Sequence, residues 1–156
     1  MNKWLLPTAS HLAVAVVGFG VGVYTLPLLI APPAPGADQV DAVAGQAAYK
    51  ARFRRDLPGS DALHWGEGEV SIGRDAVVLR GKLAPGPDYK LYLSPTWVDT
   101  KADFERAKPT MRRVGDVRTF DNFVVELPAG VDPAAYTTVV VWCETFHQFI
   151  TAARYR

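Results

Sequence analysis

The sequence predicts an all-β fold, a small antiparallel β-sandwich or barrel with one short helix, preceded by an N-terminal transmembrane helix. Three observations predict it. From Leu5 through Ala37 there is no Asp, Glu, Lys or Arg. From Leu63 onward, short apolar runs alternate with polar residues at a period near two and are broken by Gly, Pro and Asp turns, the pattern of antiparallel strands. Within that region the stretch TKADFERAK at 100–108 sets good helix formers behind a capping threonine.

The anchor comes first. Leu12 to Ile30 is nearly all apolar, and about 20 residues rising 1.5 Å each cross the hydrocarbon of a bilayer. A helix pairs its own backbone groups there, whereas a strand or loop would leave them bare in lipid. Gly18, Gly20, Gly22 and Pro27 are better tolerated in such a helix than in water. Gly18 and Gly22 have the GxxxG spacing that can seat a second helix, although scattered small residues are the plainer reading. Lys3 before the run and Asp38 and Asp41 after it place the N-terminus in the cytoplasm and the rest of the chain on the periplasmic side. A cleaved signal peptide is the rival. Its apolar core is shorter, about 7 to 15 residues, and ends at a small-x-small site rather than at the proline-rich APPAPGA found here. The expected organisation is an anchor over 1–31, a linker over 32–52 and a β domain over 53–156.

Pro32, Pro33 and Pro35 stiffen the linker. The alanine-rich DAVAGQAAYKAR, Asp41 to Arg52, reads as a short helix before the first strand. Arg52, Arg54 and Arg55 are placed to touch anionic head groups, although arginines among aspartates more often form a solvated face. Strands are expected near 63–72, 75–83, 89–94, 113–119, 122–127 and 136–143. A tight hairpin at Gly73-Arg74-Asp75 would use a positive φ at Gly73, and Pro85 to Asp88 makes a rigid turn. Pro109 stops the helix that Thr100 starts. The absence of any repeat of 20 to 50 residues argues against propellers and solenoids.

Composition excludes several functions. Lys and Arg total 17 against 16 Asp and Glu, so no net field gathers nucleic acid, and none is expected as a partner. Cys143 is the only cysteine, which rules out an intrachain disulfide, a four-cysteine metal site and a CxxC pair. With three histidines, His11, His64 and His147, no metal site is expected. Neither GxSxG, HExxH nor a phosphate-cradling glycine loop occurs. Nothing near Ser94 would activate it. The chain therefore shows no hydrolase or transferase motif and is at most a redox accessory.

Three segments carry a resemblance. The C-terminal YTTVVVWCETFHQFITAARYR resembles the closing segment of the DM-thirteen domain, a small extracytoplasmic domain often labelled an electron-transfer domain. LHWGEGEVSIGRDAVVLRGKLAPGPDYKLYLSP resembles its opening half, and VGDVRTFDNFVVELPAGVDPAAY its central glycine-led hairpin and Leu-Pro turn. The likeness runs from about Phe53 to Arg156, with 98–112 less typical. It implies a β-rich domain in which the cysteine of the Trp-Cys strand, Cys143, is the functional residue, as a free thiol or a cofactor ligand. In larger proteins such domains accompany haem-binding or redox domains. No such module stands beside it here, so a haem would come through a partner.

Read from the residues alone, Cys143 shares a strand face with Val139 and Val141, has Trp142 on the other face, and behaves as a small hydrophobe. With the resemblance it becomes the redox candidate, and Cys143, His147 and Trp142 the cofactor-binding candidates. If the strand continued, His147 would lie about 13 Å from Cys143; only a turn or helix after Glu144 would bring them together. His64 beside Trp65 reads as an edge histidine. Trp65, Trp97, Trp142, Tyr89, Tyr92 and Tyr136 read as core aromatics that could also line a cleft. Two functions result. One is a membrane-anchored redox or electron-transfer accessory working through Cys143 with a membrane or envelope redox partner, residues 12–30 lying in lipid. The other is a non-enzymatic binding or structural module of the cell envelope with Cys143 buried in the core.

Overall fold

The computed structural model describes residues 4–156; Lys3, which orients the chain in the sequence reading, lies outside them. The first element is helix α1, Leu5–Ile30. It is long and apolar enough to cross a membrane. Three of its polar side chains turn back on the helix, as suits apolar surroundings: Ser10 Oγ donates to the Pro7 carbonyl, His11 Nδ1 lies 2.7 Å from the same oxygen, and Thr25 Oγ1 donates to the Val21 carbonyl. Most of its large side chains are exposed, while Pro27 near its end is buried against the domain.

After the extended residues 31–36, the alanine-rich stretch divides in two. Helix α2, Ala37–Ala44, buries Val40 and packs on the sheet beneath it, and strand β1, Tyr49–Phe53, follows. The single helix expected over Asp41 to Arg52 is thus shorter and starts earlier. The reason lies in YKARF, which alternates apolar and polar residues and pairs in full register with β2, Tyr49 opposite Ile72 and Phe53 opposite Gly68.

Eight strands form two antiparallel four-stranded sheets. β1, β2 (Gly66–Ile72), β3 (Ala76–Leu83) and β6 (Asp121–Glu126) make the first, in the order β1-β2-β3-β6. β4 (Tyr89–Ser94), β5 (Arg112–Val117), β7 (Thr138–Cys143) and β8 (Gln148–Arg154) make the second, in the order β5-β4-β7-β8. Of the two architectures the sequence allows, the chain adopts the sandwich. Val70, Val77, Leu79 and Phe123 of one sheet meet Leu91, Leu93, Val139, Val141 and Ile150 of the other in the main core.

A smaller core lies on the outer face of the second sheet. There helix α3, Lys101–Ala107, covers β7 with Phe104, whose ring stacks on Trp142 at 3.9 Å and 7°. Thr100 caps the helix as expected, its Oγ1 accepting from the Asp103 N–H at 3.1 Å, and Pro109 sits in the 3-10 turn Lys108–Thr110 that ends it. β7 is consequently buried on both faces along its whole length, and so, apart from its ends, is β8. A doubly buried strand has no polar alternation to give it away; β7 is still marked by its valine run, and QFITAAR has neither signal.

The hairpin between β2 and β3 forms where expected, with the Gly73 N–H bonded to the Ala76 carbonyl at 2.9 Å. Gly73 does not take a positive φ, however, because it is the last paired residue and the bend falls on Arg74 and Asp75. In this strand pair the glycine with a positive φ is Gly68, at 127°. It stands opposite Gly81, and a Cβ on Gly68 would lie 2.2 Å from the Arg80 carbonyl oxygen. The two backbones touch at that point, which only paired glycines permit.

Candidate functional site

Cys143 closes β7, opposite Tyr89 of β4 and Gln148 of β8. Strand alternation turns its thiol inward with Val139 and Val141, and sends Trp142 to the outer core. The chain then reverses through Glu144–His147. The Glu144 N–H donates to the Asp88 carbonyl at 3.0 Å, and His147 takes the left-handed conformation, φ 49°.

This reversal separates the sequence candidates. A turn does follow Glu144, but it carries the exposed His147 ring against the edge of Trp142, with centroids 6.5 Å apart at 86°. The imidazole and Trp142 thus sit on the outer side of the sheet and the thiol on the inner. Among the described residues no group of three His, Cys, Asp or Glu side chains is arranged to hold a metal.

What the fold brings to Cys143 instead is a cavity of about 140 Å³ between α1 and the domain. Its wall includes Tyr24 of α1, Leu63, His64, Tyr89, Phe146 and Cys143 itself. The thiol is 2% exposed. Burial pushes its pKa above the ordinary thiol value, and the backbone N–H groups of Phe146, Asp88 and Thr145 pull it back only in part. Tyr89 behaves alike: burial first, then the neighbouring Cys143 and Tyr24, hold its phenol protonated well beyond the usual range. Gly86, in the rigid Pro85–Asp88 turn, lies flat on the Tyr89 ring, where a Cβ would come within 2.4 Å of it. This close approach fixes the phenol in the cavity wall.

His64 is a half-exposed loop histidine that also lines this cavity. Asp61 holds it at three points: its carboxylate accepts from the backbone N–H of Leu63 at 2.7 Å, from that of His64 at 2.9 Å, and lies 2.8 Å from His64 Nδ1. Burial raises the Asp61 pKa, but the His64 and Leu63 hydrogen bonds outweigh it and leave the carboxyl below its ordinary value. The Asp61 carboxylate faces Nδ1, so in the neutral imidazole the ring proton sits on Nδ1 and Nε2 is the acceptor. The signal was legible as Asp-x-x-His in a loop, an aspartate able to bond backbone two and three residues on.

Residues 57–155 match the family model described as Electron transfer DM13. The chain belongs to the DM-thirteen electron-transfer family. The match takes in Asp61, His64, Tyr89 and Cys143 and starts after β1. No curated protein and no solved structure matches the chain.

A haem supplied by a partner would need more room than the DM-thirteen cavity has. Sites for drug-sized ligands run to roughly 300–1,000 Å³, and the space at Cys143 is about 140 Å³. A macrocycle does not fit beside the thiol with α1 in place. The other aromatics serve packing: Tyr92 is buried against Phe104, the Arg55 guanidinium lies 3.3 Å over Trp65, and Arg154 lies over Trp97. Arg54 and Arg55 pair with Asp56 and Glu67.

Proposed function

We propose that the protein is a membrane-anchored, extracytoplasmic redox accessory in which Cys143 carries the electron. One observation carries the reading: the thiol forms part of the wall of a cavity that also holds an aspartate-oriented imidazole and a buried phenol. Family membership and the apolar α1 support it.

Because burial keeps the thiol protonated, oxidation has to remove a proton together with the electron. The Cys143 S–H bond breaks, the proton passes across the cavity to His64 Nε2, and the electron reduces a one-electron oxidised centre on a membrane or envelope partner. Reduction reverses each transfer. Asp61 acts as the positioning residue, since it fixes the tautomer and stabilises the imidazolium.

A second reading has its own observation. Cys143 belongs to the same core cluster as Val139 and Val141, as it would in a purely structural or binding module of the envelope. Alkylation of the full-length chain with an uncharged maleimide separates the two. The redox reading expects slow labelling of the folded protein, well ahead of global unfolding and rising with pH until the elevated thiol pKa is passed. A thiol protected until denaturant unfolds the chain would establish the packed reading instead.

A further inference from the structure

Two aromatic residues bracket the apolar helix. Trp4 and Tyr24 are 20 positions apart, a helical rise of about 30 Å, which is the hydrocarbon thickness of a bilayer. Trp and Tyr are the side chains that settle at its two interfaces. Between them lies no Asp, Glu, Lys or Arg, and Ser10 and His11 spend their polar atoms on helix carbonyls. A span set by these two rings leaves Thr25–Ile30 above the outer interface, where Pro27 is buried against the domain.

The domain's own surface agrees with that level. Beyond the C-terminal end of α1, the large apolar side chains left exposed among the described residues are Leu63, at 58%, and Phe146, at 50%. They come from loops more than 80 positions apart in sequence, yet both line one cavity together with Gly20, Val23 and Tyr24 of α1. Apart from His64, no charged or titratable acid or base other than the Cys143 thiol and the phenols faces that space. Two apolar side chains held in water on a rim cost free energy, and the same pair beside an interfacial tyrosine is placed where lipid covers it.

We infer that the domain docks this edge into the outer interfacial layer of the bilayer, with Leu63 and Phe146 inserted beside Tyr24, so that the Cys143 cavity opens toward lipid. The inference rests on α1 spanning the membrane.

Nitroxide labels test it in the full-length chain reconstituted in lipid nanodiscs. Leu63→Cys, Phe146→Cys and, at the opposite end of the sandwich, Ala135→Cys are each labelled in a Cys143→Ala background, with near-ultraviolet circular dichroism as the check on folding. The docked edge predicts that labels at 63 and 146 collide with oxygen several-fold more than with a water-soluble nickel chelate, and that the label at 135 does the reverse. The unsubstituted chain supplies a second measurement. A carbene precursor dissolved in the lipid should modify the peptides holding Leu63 and Phe146 and spare the one holding Ala135. Chelate-accessible labels at 63 and 146 in a chain that still resists alkaline carbonate would overturn the docking and leave the span intact. Low access to both reagents with dipolar broadening would put a second copy on the edge instead. A chain that carbonate strips from the bilayer would remove the span and the docking with it.

Discussion

Trp142 and Cys143 are neighbours on β7, yet the two faces of the strand on which they lie are closed in different ways. On the outer face the domain supplies its own cover. Phe104 stacks on Trp142, Tyr92 packs edge-on to Phe104, and Lys108 bonds the Glu144 carboxylate at the rim, where Tyr92 Oη also donates. On the inner face the sheets meet along most of the strand, but at Cys143 they part, and α1 with the Pro85–Asp88 turn closes what remains. A strand can therefore be fully buried and still differ, residue by residue, in whether its cover belongs to the same packed core. The thiol belongs to the main core but also borders space that α1 closes.

The largest test of that contrast is Trp142→Ala, which removes one side of an aromatic stack in a closed core. It should cost about 3–5 kcal/mol, read as a fall in the urea midpoint of the full-length chain in mild detergent. A loss under about 1 kcal/mol would mean that α3 collapses onto the gap and that the outer face is not the rigid one.

The next effect belongs to the inner face. Cys143→Ala should cost less than a typical core truncation, on the order of 1 kcal/mol, because the thiol already borders empty space. Cys143→Ser should cost somewhat more, about 1–2 kcal/mol, since its hydroxyl has poor acceptors among Val139, Val141 and Ile150. Equal and large losses for both variants in the same unfolding assay would show that the cavity is filled in solution and would erase the difference between the faces.

The smallest effect depends on pH. Burial raises the Glu144 pKa, but the hydrogen bonds of Tyr92 and Lys108 prevail, so its folded value lies below the ordinary 4.5. A depressed carboxyl contributes stability that is present above the ordinary value and is lost as pH falls through the folded one. Tyr92→Phe removes one of those hydrogen bonds and should cost about 1 kcal/mol at neutral pH. The gap between variant and parent should then narrow as pH falls below 4.5. A gap that stays constant into acid would assign the Tyr92 contribution to packing alone.

Legibility in the sequence followed the same division. Strands with polar residues at every second position, such as β3 with Arg80 and Lys82, announced themselves by alternation, and the face assignment of Cys143 against Trp142 followed from the same period of two. β8 escaped because both its faces are covered and it lacks the valine run that marks β7, and β1 because its alternation was submerged in an alanine-rich stretch. The thiol was legible as a candidate, through position and resemblance. For His64 only the Asp-x-x-His spacing was legible, since its place in the cavity wall depends on the chain returning 79 positions later to set Cys143 beside it. His147, close in sequence, was carried to the opposite face by a reversal whose direction no spacing rule contains.

The sequence by itself determined the apolar helix, the β domain after it, the capped α3 and the inward orientation of the thiol, because each depends on local periodicity or on a side chain bonding its own backbone. Only the tertiary structure decided that the sheets form a sandwich rather than a barrel, that α1 leans its last turns on the Pro85–Asp88 turn, and that His64, Tyr89 and Cys143 gather around one small cavity. Those contacts join segments far apart along the chain, and what selects them is the packing of whole faces against one another, a property no single segment carries.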